Sequence, residues 1–106
     1  MELTKENIVR LLESNDKAVG RALLVLKRNQ TLDEQTSKNT KHHNGKGFRP
    51  AHAFMGTEMA VFFETKGYLS PKQVAYWRKR DKNGNMRIGI YWRQLIEAAK
   101  EKQTVG

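Results

Sequence analysis

The stretch SPKQVAYWRKRDKNGNMRIGIYWRQ, residues 70–94, decides our interpretation of the chain. It contains both tryptophans and two of the three tyrosines, interleaved with lysines and arginines. Ser70, Pro71 and Gln73 have the spacing of a capping box, with serine at the cap, proline first inside and glutamine three residues after the serine. We therefore predict a helix from this point to about Arg80.

A turn and a second helix complete this stretch. Residues 82–85 carry the turn signal Asn83-Gly84, and residues 86–90 alternate weakly between polar and apolar. Helical spacing returns over residues 91–102. A β-hairpin about Asn83-Gly84 is the competing interpretation, because that dipeptide is a strong hairpin turn. The capping box favours a helix before the turn, so we prefer helix, turn, short extended link and helix.

Three further helices are predicted in the first two thirds of the chain. Thr4 is an N-cap for a short amphipathic helix to about Glu13, and apolar spacing predicts a central helix over residues 17–29. A third helix spans residues 50–66, with Gly67 as its C-cap. Its apolar residues recur at helical spacing, which predicts a core stripe of Ala51, Phe54, Met55, Met59, Phe62 and Phe63.

The segment between the second and third helices, residues 30–47, is polar and basic. It has almost no apolar residue after Leu32, and it ends in glycines. We predict one further helical turn over residues 31–34 and then a mobile basic loop, which is long for a compact domain. We also expect residues 103–106 to fray.

Length and composition fit one domain. A chain of 106 residues, 38% of them hydrophobic, can form one core beneath a charged surface. It has no apolar run long enough to cross a membrane and no charged-then-apolar leader, so we expect a soluble, cytoplasmic protein. The absence of cysteine excludes disulfides and thiolate zinc sites. The predicted fold is all-α, with four to five helices and one long basic loop.

The formal net charge of +9 narrows the class of partner. Residues 1–33 carry six basic and five acidic groups, a net +1, so most of the excess lies downstream. A basic surface attracts phosphate polyanions through counterion release, which favours nucleic acid. An acidic protein surface is the alternative partner.

Several motifs resemble a widespread small protein family of phages and mobile elements, segments of which also occur appended to phage-type helicases and other replication proteins. The matching residues are 15–23 (N-D-K-A-V-x-R-A-L), Gln30-Thr31, Asp33-Glu34-Gln35, Gly47-Phe48, 69–73 (L-S-P-K-Q) and Tyr91-x-x-Gln94-Leu95. The resemblance implies a setting in DNA metabolism, with a helicase or another replication protein as partner, and no catalytic mechanism. One departure is His52-Ala53, where the family usually has aspartate before the alanine.

The helices on either side of residues 67–70 have the lengths of a helix-turn-helix motif at 51–82. In that motif the second helix enters the major groove, where glutamine can pair with adenine and lysine or arginine with guanine or phosphate. The residues that would face DNA are Lys72, Gln73, Tyr76 and Arg80. Any two consecutive helices with a four-residue turn share these lengths, however. The side chain of Gln73 is also expected to be occupied in the capping box.

Interleaved aromatic and cationic residues predict a less specific contact surface as well. Stacking on aromatic rings contributes about 1–3 kcal/mol per base, and basic groups add a salt-sensitive part. The further candidates for this surface are Lys79, Arg87, Trp92 and Arg93. The competing interpretation places the aromatic rings in the core, which we prefer for Trp77 and Tyr91 and leave open for Tyr76 and Trp92.

The basic loop is the third candidate contact region. Its amides near Asn44, Gly45 and Gly47 could form a phosphate-binding nest. The cations that would assist are Lys38, Lys41, Lys46 and Arg49. The motif GxxxxGK[ST] is absent, so no nucleotide hydrolysis is predicted.

The histidines of this region are a weak metal-binding signal. His42 and His43 are adjacent, and adjacent side chains rarely converge on one ion without a fixed scaffold. Neither a thiolate nor a clear acidic helper lies near them or near His52. We therefore expect no metal and no other cofactor.

These patterns predict a non-catalytic nucleic-acid-binding protein, with DNA preferred over RNA. It would act as an accessory or regulatory protein in phage or mobile-element DNA metabolism. The alternative is a protein-interaction module that binds and modulates a host or replication protein through its basic face. A metal-dependent nuclease is a third hypothesis, which lacks paired carboxylates near the histidines.

Overall fold

The computed structural model describes the backbone of residues 3–36 and 47–105, and the side chains of residues 3–30 and 47–100. These ranges form five α-helices and no β-strand, which confirms the all-α prediction. None of the described helices is long and apolar enough to cross a membrane. The helices are α1 (Lys5–Ser14), α2 (Asp16–Thr36), α3 (Pro50–Lys66), α4 (Pro71–Arg78) and α5 (Trp92–Val105), with a 3-10 turn at Gly89–Tyr91 before α5.

Short polar side chains begin the first two helices. The Thr4 hydroxyl accepts a hydrogen bond from the Asn7 amide at 3.2 Å, as expected for an N-cap. Asn15 separates α1 from α2, and its side-chain oxygen accepts from the amides of Lys17 and Ala18. Each cap satisfies backbone donors that have no partner inside the helix, so the sequence defines both starts.

The boundaries of α3 and α4 also follow local rules. Gly67 ends α3 in the left-handed conformation, with φ of 79°. The Ser70 hydroxyl accepts from the Gln73 amide, and the Gln73 side chain accepts from the Ser70 amide, so both halves of the predicted capping box are present. α4 ends at Arg78, two residues earlier than predicted, because Lys79 is already extended.

The connection after α4 reverses in a tight turn. Gly84 has φ of 81°, and a single antiparallel bridge joins Arg80 to Met86. Beyond the bridge, the amide of Ile88 donates to the carbonyl oxygen of Trp77 at 2.9 Å. The preferred interpretation of helix, turn, short extended link and helix is therefore correct for the two helices and the turn. It is wrong for the extended link, because residues after Met86 form a turn and then the 3-10 helix Gly89–Tyr91, while the chain folds back on the end of α4 as a hairpin would.

Two helices continue further than the sequence suggested. α2 continues without a break through the helical turn predicted at residues 31–34 and ends at Thr36, and α5 runs to Val105, past the predicted end at 102. Neither extension contains glycine or proline, and the extension of α2 includes leucine, glutamine and glutamate, which are good helix formers. Residues 37–46, most of the predicted basic loop, lie outside the described residues.

The core lies where α2 packs against α3 and α5 and where Trp77 fills the centre. Trp77 is fully buried, and its indole N–H points at the Met59 sulfur, 2.9 Å away. A Cβ atom at Gly20 would lie 2.2 Å from the Phe63 ring, so only glycine permits this approach of α2 to α3. Other buried members of the core include Val19, Leu23, Leu26, Ile88 and Tyr91.

The predicted core stripe of α3 is wrong at one end. Phe54 is 72% exposed and Met55 is 36% exposed, whereas Met59 and Ala60 are buried. Apolar residues surround α3 on nearly all sides, so helical spacing alone could not select the side that faces α2. Phe54 and Met55 lie where the other helices leave α3 uncovered.

Candidate nucleic-acid interface

The hydroxyl of Tyr91 joins the 3-10 turn to the start of α3. It accepts a hydrogen bond from the Arg49 amide at 3.0 Å and shares another, of 2.7 Å, with Nδ1 of His52. Tyr91 itself is 4% exposed, so these bonds form at the edge of the core. They hold residues more than 35 positions apart in the chain at one place on the surface.

Aromatic rings support this junction from below. The His52 ring lies 5.7 Å from the ring of Trp77 and 5.9 Å from that of Tyr91, both edge to face. Phe48 packs on the same two rings at 5.9 and 6.1 Å. Three of these four contacts are edge to face, and such contacts at this spacing favour one arrangement of the rings.

Arg87 belongs to the connection between α4 and α5, and its side chain packs against α4 next to this junction. Its guanidinium carbon is 4.0 Å from the centroid of the half-buried Tyr76 ring, and Nη1 donates to the Tyr76 carbonyl oxygen at 2.7 Å. The cation–π contact and the hydrogen bond together orient the guanidinium. We call the set Arg49, His52, Tyr76, Arg87 and Tyr91 the Arg87 cluster.

Burial and two positive charges shift the titration of this cluster. Burial lowers the pKa of His52 below its ordinary value, and the positive charges of Arg87 and Arg49 lower it further. Burial raises the pKa of the Tyr91 hydroxyl above its ordinary value. Among the described residues, no carboxylate forms an ion pair with Arg49 or Arg87.

Two lysines flank Tyr76 in sequence, Lys72 in the first turn of α4 and Lys79 directly after its last residue. Lys72 precedes it by one helical turn and Lys79 follows three residues later, and both are exposed. Within the described part of the chain, neither forms an ion pair. The side-chain oxygen of Gln73 accepts from the Ser70 amide at 2.8 Å, so pairing Gln73 with adenine would break the capping box.

Arg80 differs from the other predicted contact residues. Its guanidinium forms an ion pair with Glu13 of α1 and donates to the carbonyl oxygen of Gly84 at 2.7 Å. The glutamate offsets its charge, and the backbone contact holds the turn after α4. Arg80 therefore offers less to a phosphate than Lys79 does.

A second aromatic and cationic region surrounds Trp92. The Lys5 ammonium lies 6.0 Å and the Arg93 guanidinium 5.2 Å from its ring centroid. Trp92 lines a groove of about 540 Å³ between α1 and the connection from α4 to α5. We call it the Trp92 groove; its charged lining residues are Lys5, Glu6, Arg10, Glu13 and Arg80.

The end of the predicted loop is fixed to α5. Gln94 accepts from the Gly47 amide at 2.7 Å and donates back to the Gly47 carbonyl oxygen at 3.2 Å. The same side-chain oxygen accepts from Asn29 at 3.0 Å, which ties α2 to α5. The Gly47 amide is therefore already engaged and cannot donate to the phosphate-binding nest suggested by the sequence.

The remaining loop candidates fall outside the described residues. This holds for Lys38, Lys41, Asn44, Gly45 and Lys46, and for the histidine pair His42 and His43. In the described ranges, no three histidine or acidic side chains lie close enough together to hold a metal ion.

Arg78 is one of the interleaved cations of residues 76–80, and its contacts are structural. Its Nε donates to the Leu12 carbonyl oxygen at 2.8 Å, and Nη1 pairs with Asp16, also at 2.8 Å. These bonds tie the end of α4 to the corner between α1 and α2. No local sequence motif predicts these contacts, because the partners are more than 60 residues apart in sequence.

Comparisons with known proteins add no further assignment. No protein-family model matches the chain, and no curated protein or solved structure gives a significant match. The resemblance to the phage and mobile-element family therefore stays a prediction from the motifs quoted above.

Proposed function

We propose that this chain is a non-catalytic DNA-binding protein, an accessory or regulatory factor in phage or mobile-element DNA metabolism, and that the Arg87 cluster is its main contact surface. One observation carries the proposal. Arg87 is held on Tyr76, the Arg49 amide is bonded to the Tyr91 hydroxyl, and no described carboxylate pairs with either arginine.

The cluster provides the two interactions that a nucleic acid requires. Arg49 and Arg87 supply positive charge for phosphates, and binding there releases counterions. The guanidinium plane of Arg87 can also stack with a nucleobase, which extends the Arg87–Tyr76 pair by one layer. Because that pair is already ordered in the free protein, little conformational entropy is lost on binding.

The flanking residues extend this surface. Lys72 adds charge at the start of α4, Lys79 adds charge directly after its end, and Arg93 adds charge beside Trp92. The loop residues Lys38, Lys41 and Lys46 belong to the proposal on sequence grounds alone. Gln73 has no base-reading role in it, because its side chain completes the cap of α4.

Fluorescence anisotropy with labelled oligonucleotides tests the proposal. Single-stranded DNA, duplex DNA and RNA of one sequence are titrated with the full chain over a salt series that begins at about 50 mM, where phosphate contacts are strongest. We expect binding of DNA that weakens linearly on a double-logarithmic salt plot. No binding at the lowest salt would refute DNA binding.

Poly-glutamate of matched charge is the control for the alternative function. It offers carboxylates without bases, so it should compete poorly if stacking on Arg87 contributes to affinity. Competition equal to that of DNA would instead favour a protein module whose basic face meets acidic proteins.

A further inference from the structure

A separate apolar groove of about 430 Å³ lies between α1, α2 and α5. Its floor includes Ile8, Leu12, Ala22 and Leu95, which belong to the hydrophobic core. Four alanines, two each from α2 and α5, line it and leave room between the helices. None of its lining residues belongs to the Arg87 cluster, so the two surfaces use different side chains.

Two arginines of α2 mark the rim of this groove. Arg21 and Arg28 both line it and are both exposed. They stand seven residues apart, about 10.5 Å along the helix axis. Among the residues whose side chains are described, no carboxylate lines the groove and none pairs with either arginine. The groove thus combines an apolar floor with an uncompensated positive rim.

We propose that the groove binds an acidic amphipathic helix from a partner protein. The apolar stripe of that helix would lie on the groove floor, with acidic residues about seven positions apart facing Arg21 and Arg28. A helix in a groove has this geometry, because its apolar side chains recur every three or four residues along one face.

The charges of the rim select this occupant over two others. A second copy in a two-fold pair would place the same patch against itself, so arginines would meet arginines without a carboxylate between them. The net charge of +9 adds to that repulsion. Nucleic acid would be attracted by the rim, but its phosphates would lie against an apolar floor that cannot donate hydrogen bonds.

A pair of designed peptides tests the charge of the partner. Each is a labelled helix of about 14 residues with leucines along one face; one carries glutamates beside the leucines, and the other carries lysines at the same positions. Anisotropy titrations use the full chain at about 150 mM salt, where distant charges are screened. We expect the glutamate peptide to bind and the lysine peptide to bind far more weakly. Equal binding of the two, or none by the glutamate peptide, would overturn the proposal.

Charge reversal then locates the contact. Arg21→Glu with Arg28→Glu should weaken the glutamate peptide by about tenfold and turn the preference towards the lysine peptide. Arg49→Glu with Arg87→Glu is the matched control, since it changes the net charge equally at the Arg87 cluster. If the control weakens peptide binding as much, the attraction is a property of the whole surface and the proposal is wrong.

Filling the groove tests its shape. Ala98→Leu places a larger side chain in the groove from α5 and should abolish peptide binding, while oligonucleotide binding and circular dichroism stay unchanged.

Chemical-shift mapping of the unmodified protein locates the peptide without any substitution. Peptide-induced shifts should cluster on α1, α2 and α5, and shifts confined to other helices would overturn the proposal.

Discussion

The Arg87 cluster and the Trp92 groove both combine aromatic rings with cations, and they differ in where the acidic side chains lie. Glu6 and Glu13 line the Trp92 groove, and Glu13 pairs with Arg80. No described carboxylate pairs with the arginines of the Arg87 cluster. A high density of basic and aromatic residues is therefore a poor guide to a phosphate site until the acidic neighbours are known.

The two regions also differ in how deeply their aromatic rings are buried. The Arg87 cluster includes Tyr91 and packs on Trp77, which are 4% and 0% exposed. Trp92 is only half-buried and has cations near its ring. Since ordered side chains lose less entropy on binding, the better-supported cluster is the stronger candidate for contact with nucleic acid.

The largest difference between the two regions should appear in stability. Trp77→Ala removes a fully buried indole, so we expect the free energy of unfolding to fall by about 3–5 kcal/mol. Trp92→Ala removes a half-buried ring, so it should lower the free energy of unfolding by clearly less. Urea denaturation of both variants measures this, and equal costs would show that the two rings support the fold alike.

Binding should separate the regions next. Arg49→Gln with Arg87→Gln should weaken DNA binding by roughly tenfold or more and lower the salt slope by about two, since two phosphate contacts are lost. Arg10→Gln with Arg80→Gln removes the same charge from the Trp92 groove and should have a smaller effect, because Glu13 already offsets Arg80. A larger effect for the groove pair would reverse our ranking of the sites.

The hydroxyl of Tyr91 should contribute a smaller amount. Tyr91→Phe leaves the Arg49 amide and the His52 ring without their shared partner, so we expect a loss of about 1–2 kcal/mol in unfolding free energy. Tyr68→Phe is the matched control, because that residue is 56% exposed. Thermal and urea unfolding of the two variants measure the difference, and equal stability would rule out a role for the hydroxyl.

The smallest effect expected is a pH dependence of stability. The pKa of His52 is lowered in the folded protein by burial and by Arg87 and Arg49, so the unfolded chain binds a proton first as pH falls. Stability present above the ordinary value of 6.5 should therefore decrease as pH falls from there through the lowered pKa. His52→Asn should flatten this decrease between pH 7.5 and pH 5 in urea titrations, and an unchanged profile would assign it to other groups.

Helix boundaries were largely predictable because the signals that set them are local. Thr4, Gly67 and the pair Ser70 and Gln73 act within three or four residues of their own positions. The burial of Trp77 and Tyr91 was also expected, and both are in the core. These predictions succeed because a cap or an amphipathic face has the same energetics in most folds.

The content of the candidate site was less predictable. Lysines and arginines in the stretch 70–94 look equivalent in sequence, yet Arg78 holds Asp16, Arg80 holds Glu13 and Arg87 stacks on Tyr76. Two of these partners lie more than 60 residues away in the chain. Whether a cation is paired with a carboxylate depends on such distant partners, and no rule of residue spacing predicts these partners.

The sequence by itself determined the helices, their caps and the basic surplus, since each depends on residue type and short spacing. Only the tertiary structure decided that Phe54 faces outwards while Phe63 meets Gly20, and that Gln94 fastens Gly47 to α5. It also decided which arginines of residues 70–94 are neutralised by carboxylates from α1 and α2. Burial and ion pairing are properties of groups that meet in space, and their meeting follows from how the helices pack.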